Sequence, residues 1–175
     1  VILRRSGLRG MVGERFQAHP GCAVVGRFDE PIEMSHGATQ GYEVPLRDRR
    51  LKVETLALPP ELLAPRLPGA GAAWQSRLAE MDHYAQWSFI CRMEAHGRVR
   101  PALFGGGSDA AVHFTPTARD MERVKDGIGL VCRMMFAAGA REVFPGIGEL
   151  PSVLKSVDEV DAIDRAMADA VSTAR

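Results

Sequence analysis

The longest regular alternation of apolar and polar positions runs from Phe114 to Ile147. Within it Met121, Val124, Ile128, Val131 and Met135 recur at helical spacing, which predicts a long helix with one apolar face. Thr117 is placed to cap its start, because its hydroxyl can accept a bond from an orphan amide of the first turn. Asp120, three residues on, completes a capping-box pattern and sets negative charge at the positive end of the helix. Gly139 is the natural left-handed terminator. Glu142-Val143-Phe144 then reads as a short strand, closed by Pro145-Gly146. No side chain in this stretch is chemically activated, so it reads as the anchor of a core rather than as a reactive site.

The other elements arrange themselves around this helix. Cys22 to Phe28 is apolar and β-rich, which predicts a buried strand. Met11 to Pro20 reads as a loop and Ser35 to Gln40 as a polar loop. Tyr42 to Leu46 and Leu51 to Leu56 read as partner strands about the turn Arg47 to Arg50. Pro59-Pro60-Glu61 opens a short helix, and a second runs from about Ala72 to Met81. The clearest strand is His83 to Met93. There Trp87, Phe89, Cys91 and Met93 alternate with Gln86, Ser88, Ile90 and Arg92. A turn at Glu94 to Gly97 and a return through Arg98-Val99-Arg100 predict a hairpin. Phe104 to Ser108 is a glycine-rich link, and Ala111 to Phe114 a strand feeding the long helix. Asp158 to Ala174 is a final helix with Val160, Ile163, Met167 and Val171 on one face. Strands in hairpin-like succession with helices inserted predict an α+β fold, a mostly antiparallel sheet with helices packed on one face.

Composition narrows the function classes. A chain of 175 residues, 46% hydrophobic, can bury one sizeable core. Its zero formal net charge argues against a nucleic-acid surface, which needs concentrated Lys and Arg. The basic run Arg47, Arg49, Arg50 and Lys52 contains Asp48 and reads as a solvated turn. Cys22, Cys91 and Cys132 are an odd number without C-x-x-C spacing, which fits a reducing, cytoplasmic compartment rather than a disulfide framework. There is no apolar run of membrane-spanning length and no secretory cleavage pattern. Val1 to Gly7 reads as the tail of a helix and the last helix runs to the end of the chain. Both features predict a piece of a longer protein.

Familiar catalytic patterns are absent. The Gly105 to Ser108 run is followed by a strand, whereas a phosphate cradle needs a helix there. His19, His36, His83, His96 and His113 have no i, i+4 pairing, so no metal site is expected. Neither G-x-S-x-G nor G-x-G-x-x-G occurs.

Two stretches nevertheless resemble a known family. Gly13-Glu14-Arg15-Phe16-Gln17-Ala18-His19-Pro20 resembles the G-x-N-L-x-x-H-P segment of glucose–methanol–choline (GMC) flavin oxidoreductases, which there follows a helix ending in R-S-G, here Arg5-Ser6-Gly7. The run AVVGRFDEPIEMSHGATQGYEV, and later GRVRP and MMFAAGAREVFPG, look like the branch with long-chain alcohol oxidases and sterol-oxidase-like members. Taken in order these cover nearly the whole chain. Arg15 stands where the pattern has Asn, and Phe16 where it has Leu. The resemblance implies a flavin-domain tail over residues 1–20 and an incomplete substrate-binding domain over 21–175.

It also implies an FAD-dependent oxidation of a bulky apolar alcohol at its CH–OH group, with hydride passing to the flavin. The dinucleotide motif would lie before Val1. The catalytic His of an H-P-x-G-x-C-R-M-G-like segment would lie after Arg175, since Gly21-Cys22-Ala23 does not continue His19-Pro20 in that way. No catalytic residue is therefore carried onto this chain, and the implied partners are the alcohol and the missing flavin-binding domain. Association with a membrane would follow if the alcohol is a lipid. The expected substrate-lining residues are Trp87 and Phe89 on one face of the central strand, with Gln40 and Tyr42 as orienting polar groups. In the alternative, that face packs under the helices, and Gln86, Ser88 and Ile90 face the cavity. A freestanding binding module and a subunit of a split flavoenzyme are the rival readings.

Overall fold

The computed structural model describes residues 2–102, 110–148 and 150–173. In chain order the first half contains α1 (Ile2–Arg5), β1 (Glu14–Phe16), β2 (Gly21–Arg27), β3 (Glu43–Leu46), β4 (Leu51–Thr55), α2 (Pro60–Leu63) and α3 (Ala72–Leu78). There follow β5 (Tyr84–Cys91), β6 (Gly97–Pro101), β7 (Ala110–His113), α4 (Ala118–Ala137), β8 (Glu142–Phe144) and α5 (Val157–Thr173). Five strands form the main sheet in the order β3-β4-β5-β2-β8, and three more form a second sheet, β1-β6-β7. Among the described residues every strand pairing is antiparallel. The α+β expectation holds.

The organising helix forms as its sequence predicts. The Thr117 hydroxyl accepts from the Asp120 amide, and the Asp120 carboxylate accepts from the Thr117 amide, a complete capping box. Gly139 ends the helix at φ +102°. The apolar face of α4 lies across the main sheet, where Ile128, Val131 and Met135 meet Val24, Val53, Phe89 and Cys91 in one core. Met121, at the exposed first turn, is outside it. α5 packs on α4 through Val160 and Ile163, and Arg133 of α4 donates to Asp161 and Asp164 of α5 at 2.5 and 2.6 Å.

Helices occupy more than one face. Leu63 of α2 and Leu67 just after it meet Val25, Tyr84 and Phe144 in a second core, with Trp74 and Leu78 of α3 packed against it. Arg77 donates to Glu142 at 2.6 Å and lies 4.6 Å above the Phe144 ring. The apolar residues of the Pro59–Leu78 segment need a surface, and α4 already occupies the first face of the sheet. They close one end of the opposite face.

Two expectations are corrected. Residues 83–93 and 98–100 do not form a hairpin. β5 is already paired with β2 on one edge and β4 on the other, so β6 finds no free edge and pairs with β1 and β7 instead. The chain is turned away by Asp120, whose carboxylate accepts from the Glu94 amide at 2.8 Å and the Ala95 amide at 3.0 Å. Likewise the Met11–Pro20 stretch is not wholly loop, because Glu14–Phe16 pairs with β6. The glycine link Phe104–Ser108 lies outside the described residues.

The β1–β6 register shifts between Glu14 and Phe16, and the intervening Arg15 has φ +57°. Asn enters this left-handed region at much lower cost than Arg, which is a physical reason for Asn at this place in the G-x-N-L-x-x-H-P pattern. Arg15→Asn is expected to raise stability by about 0.5–1 kcal/mol, read as a higher urea midpoint with an unchanged slope.

Candidate functional site

Three segments converge at one end of the main sheet. The Cys91 amide donates to the Pro20 carbonyl at 2.9 Å, and the Arg92 amide donates to the Arg50 carbonyl at 3.0 Å. These bonds tie the end of β5 to Gln17–Pro20 on one side and to the turn before β4 on the other. The turn is a single helical turn, Arg47–Arg49, with Arg50 in the left-handed region at φ +56°. Between the segments lies an open cleft of about 660 Å3. Its apolar lining is Ile90 and Ala18, since Leu51, Cys91 and Met93 beside it are buried in the core under α4. Its rim is cationic, with His19, Arg47, Arg50, Lys52 and Arg92, and no carboxylate lines it.

The rim cations differ in their neighbours. Arg50 pairs with Glu94 at 2.9 Å, within a cluster in which Arg119 and Arg123 also reach Glu94. Lys52 pairs with Glu54 at 2.7 Å and Glu43 at 3.2 Å, and its pKa is raised, first by the Glu54 bond. Arg47 and Arg92 are exposed and make no ion pair among the described residues.

The four residues expected to line a substrate site are divided among different places. Phe89 is wholly buried beneath α4 and presents nothing to a cavity. Tyr42 and Trp87 do meet, in a smaller apolar cleft of about 330 Å3 on the α4 side of the sheet edge, with Val44, Val53 and Met134. Gln40 is exposed at that edge, its Nε2 at 3.5 Å from a carboxylate oxygen of Glu54. The Trp87–Phe89 face is thus the helix-packed one. Of the alternative set Ile90 lines the large cleft, while Gln86 and Ser88 are buried.

On the same face as Ile90, the Gln86 Oε1 and Ser88 Oγ atoms are buried without a hydrogen-bond partner, while Gln86 Nε2 donates to the Leu56 carbonyl at 3.3 Å. Sequence reasoning missed Arg92 and His19 as rim residues and read Arg47–Lys52 as a solvated turn. The signal available was the density of Arg and Lys from 47 to 52, but only the fold brings Arg92 and His19 beside it.

Other chemistry is muted. Burial pushes the Cys91 thiol up to about 11 and the Cys132 thiol up to about 12, so both are protonated at neutral pH. No group of three or more His, Cys, Asp or Glu among the described residues could hold a metal ion. No described helix is long and apolar enough to cross a membrane. A flavin pyrophosphate needs free amides at a glycine-rich helix start. At α4 the Asp120 amide is engaged by the Thr117 hydroxyl and the Thr117 amide by the Asp120 carboxylate, and at α5 the Glu159 amide is engaged by the Ser156 hydroxyl.

No protein-family model matches the chain. It is similar to uncharacterised GMC-type oxidoreductases. One, from two strains of Mycobacterium tuberculosis, is 26% identical over 170 residues, which is 94% of this chain and 26% of the relative. Another, from Sinorhizobium fredii, is 28% identical over 152 residues, 84% of this chain and 29% of the relative. The chain spans between a quarter and a third of the length of these relatives. The similarity is weak in identity but continuous, and it supports kinship with the GMC-type oxidoreductases.

Proposed function

We propose that this chain is the substrate-binding portion of an FAD-dependent GMC-type oxidoreductase, of the branch with long-chain alcohol oxidases, which oxidises the CH–OH group of an alcohol with a bulky apolar body. The observation that supports it most is the collinear similarity to GMC-type oxidoreductases over 94% of the chain. The flavin would be held by sequence outside these residues, where the G-x-G-x-x-G motif is expected. Residues 1–20 would be the tail of the flavin-binding domain and 21–175 part of the substrate-binding domain.

The chain's own contribution is shape and orientation. The open end of the main sheet, with Ile90 and Ala18, offers an apolar wall, and holding the alcohol against it would fix which bond faces the redox partner. Tyr42 and Trp87 keep a lining role only on the other side of the sheet, in the smaller cleft.

The coding sequence on either side tests this directly. The reading expects a continuous frame with G-x-G-x-x-G on a strand–helix turn upstream and an H-P-x-G-x-C-R-M-G-like segment downstream. A start codon immediately before Val1 and a stop after Arg175, with neither segment nearby, would sink it. A second expectation follows for the 175-residue chain purified alone: acid extraction releases no stoichiometric flavin. Flavin at one mole per mole of chain would show that the cofactor site lies within these residues.

A further inference from the structure

We infer that the cleft at the end of the main sheet takes an amphiphile with an anionic head, its apolar body lying on Ile90 and Ala18 and its carboxylate or phosphate held by Arg47 and Arg92. The cleft, at about 660 Å3, is of the size that holds small organic ligands. Its lining is sorted by chemistry. The floor is apolar and the rim carries four side-chain cations with no carboxylate among them. A merely solvated surface in a chain of zero formal net charge would be expected to mix the two signs.

The rim cations are also unequal. Arg50 is paired with Glu94, which it shares with Arg119 and Arg123, and Lys52 with Glu54 and Glu43, which fixes the walls. Arg47 and Arg92 are left over, and Asp48 of the same turn does not line the cleft. Two unpaired guanidinium groups facing one concavity with low-dielectric walls focus positive potential into it. The planar guanidinium fork matches the geometry of a carboxylate or phosphate. The backbone bonds from Arg92 to Arg50 and from Cys91 to Pro20 hold the two sides of the rim at a set spacing, so the site is formed before the ligand arrives.

A neutral alcohol would use the floor and leave both guanidinium groups to water, whereas an anionic one engages both. Because these side chains are exposed, each contact is weak, and the pair is expected to tighten binding by roughly tenfold. That such a ligand is the alcohol being oxidised rests on the function proposed above. The binding itself does not, so the test uses no flavin and no turnover.

Calorimetric titration of the 175-residue chain with octanoate, octyl phosphate, 1-octanol and inorganic phosphate distinguishes the contributions. Octanoate or octyl phosphate is expected to bind roughly tenfold tighter than 1-octanol, with the advantage shrinking as salt is raised. Whichever of the two binds tighter names the head group. The Arg47→Ala/Arg92→Ala variant should lose the preference while still binding 1-octanol. Arg49→Ala, in the same turn but outside the cleft, should keep it. Should the double variant melt early, the single Arg92→Gln variant takes its place and should show a partial loss. Equal binding of 1-octanol and both anions, retention of the preference in the Arg47/Arg92 variants, or inorganic phosphate binding as tightly as octyl phosphate would each overturn the inference. None of these outcomes depends on what the flanking coding sequence contains, so the two readings fail separately.

Discussion

Replacing Asp120 by alanine is expected to cost the fold about 3–5 kcal/mol, seen as a large drop in the urea midpoint of the purified chain. The side chain is 0% exposed. Its carboxylate accepts from the amides of Glu94 at 2.8 Å, Ala95 at 3.0 Å and Thr117 at 3.1 Å, and from Arg123 Nη1 at 3.0 Å. One residue thus closes the N-terminus of α4 and turns the chain leaving β5 toward the second sheet. Alanine leaves three backbone donors without their acceptor and takes from Arg123 one of its two carboxylates, and unpaired buried donors cost more than the bonds themselves are worth. Asp120→Asn keeps the shape but presents an amide donor where an acceptor is needed, so it should lose most of the same stability. A variant that loses under 1 kcal/mol would show that the turn at Glu94–Ala95 is held by other means.

The same carboxylate gives the fold an acid limit. Burial by itself raises the Asp120 pKa, but the amides of Glu94, Thr117 and Ala95 outweigh it and bring the value down from the ordinary 3.8 to about 2. A folded-state pKa below the unfolded one means the unfolded chain binds the proton more readily. The contribution, about 2 kcal/mol, is therefore complete above roughly pH 5 and is lost as pH falls through 3.8 toward about 2. In Asp120→Ala this segment of the pH–stability curve should flatten.

The second large effect is expected at Phe89. Phe89→Ala should cost about 3–5 kcal/mol, because the ring is wholly buried between the sheet and α4. The helix comes this close only because residue 127 is glycine. A Cβ placed there would stand 2.4 Å from a Phe89 ring carbon. Alanine ordinarily favours a helix over glycine by about 1 kcal/mol. Here Gly127→Ala is expected instead to destabilise by about 1–3 kcal/mol, since the ring is hemmed in and cannot move aside. Contact predicts coupling: the double variant should cost at least about 1 kcal/mol less than the sum of the single ones. Additive losses would mean that α4 does not rest on Phe89, and the assignment of the two faces of β5 would fall with it.

What could be read from the residues was whatever is local. The capping pair Thr117 and Asp120, the glycine stop at 139, the apolar stripe of α4 and the alternation along β5 are set by bonds and spacings within a few residues. Each appears in the structure where the sequence places it. The α+β class followed from their order, and the succession of short segments was enough to suggest the kinship that the GMC-type relatives support.

What the sequence left open depends on who occupies which edge and face. Alternation shows that β5 has two faces but not which one α4 covers. That is decided by the fit of Phe89 beneath Gly127, two residues 38 positions apart in the numbering. The turn after Glu94 has the composition of a hairpin, and β6 would have paired back on β5 had either edge been free. It was not, because β2 and β4 had taken both. Asp120 was legible as a cap, yet its hold on Glu94 and Ala95 comes only from folding the helix onto the strand end. The cationic rim arises in the same way. Arg47, Arg92 and His19 are unremarkable where they stand in the chain, and they become a site because three backbone segments are drawn together at the end of one sheet. Local free energies of a fraction of a kcal/mol choose the elements. Burial and the competition for strand edges, acting across the whole chain, choose their neighbours.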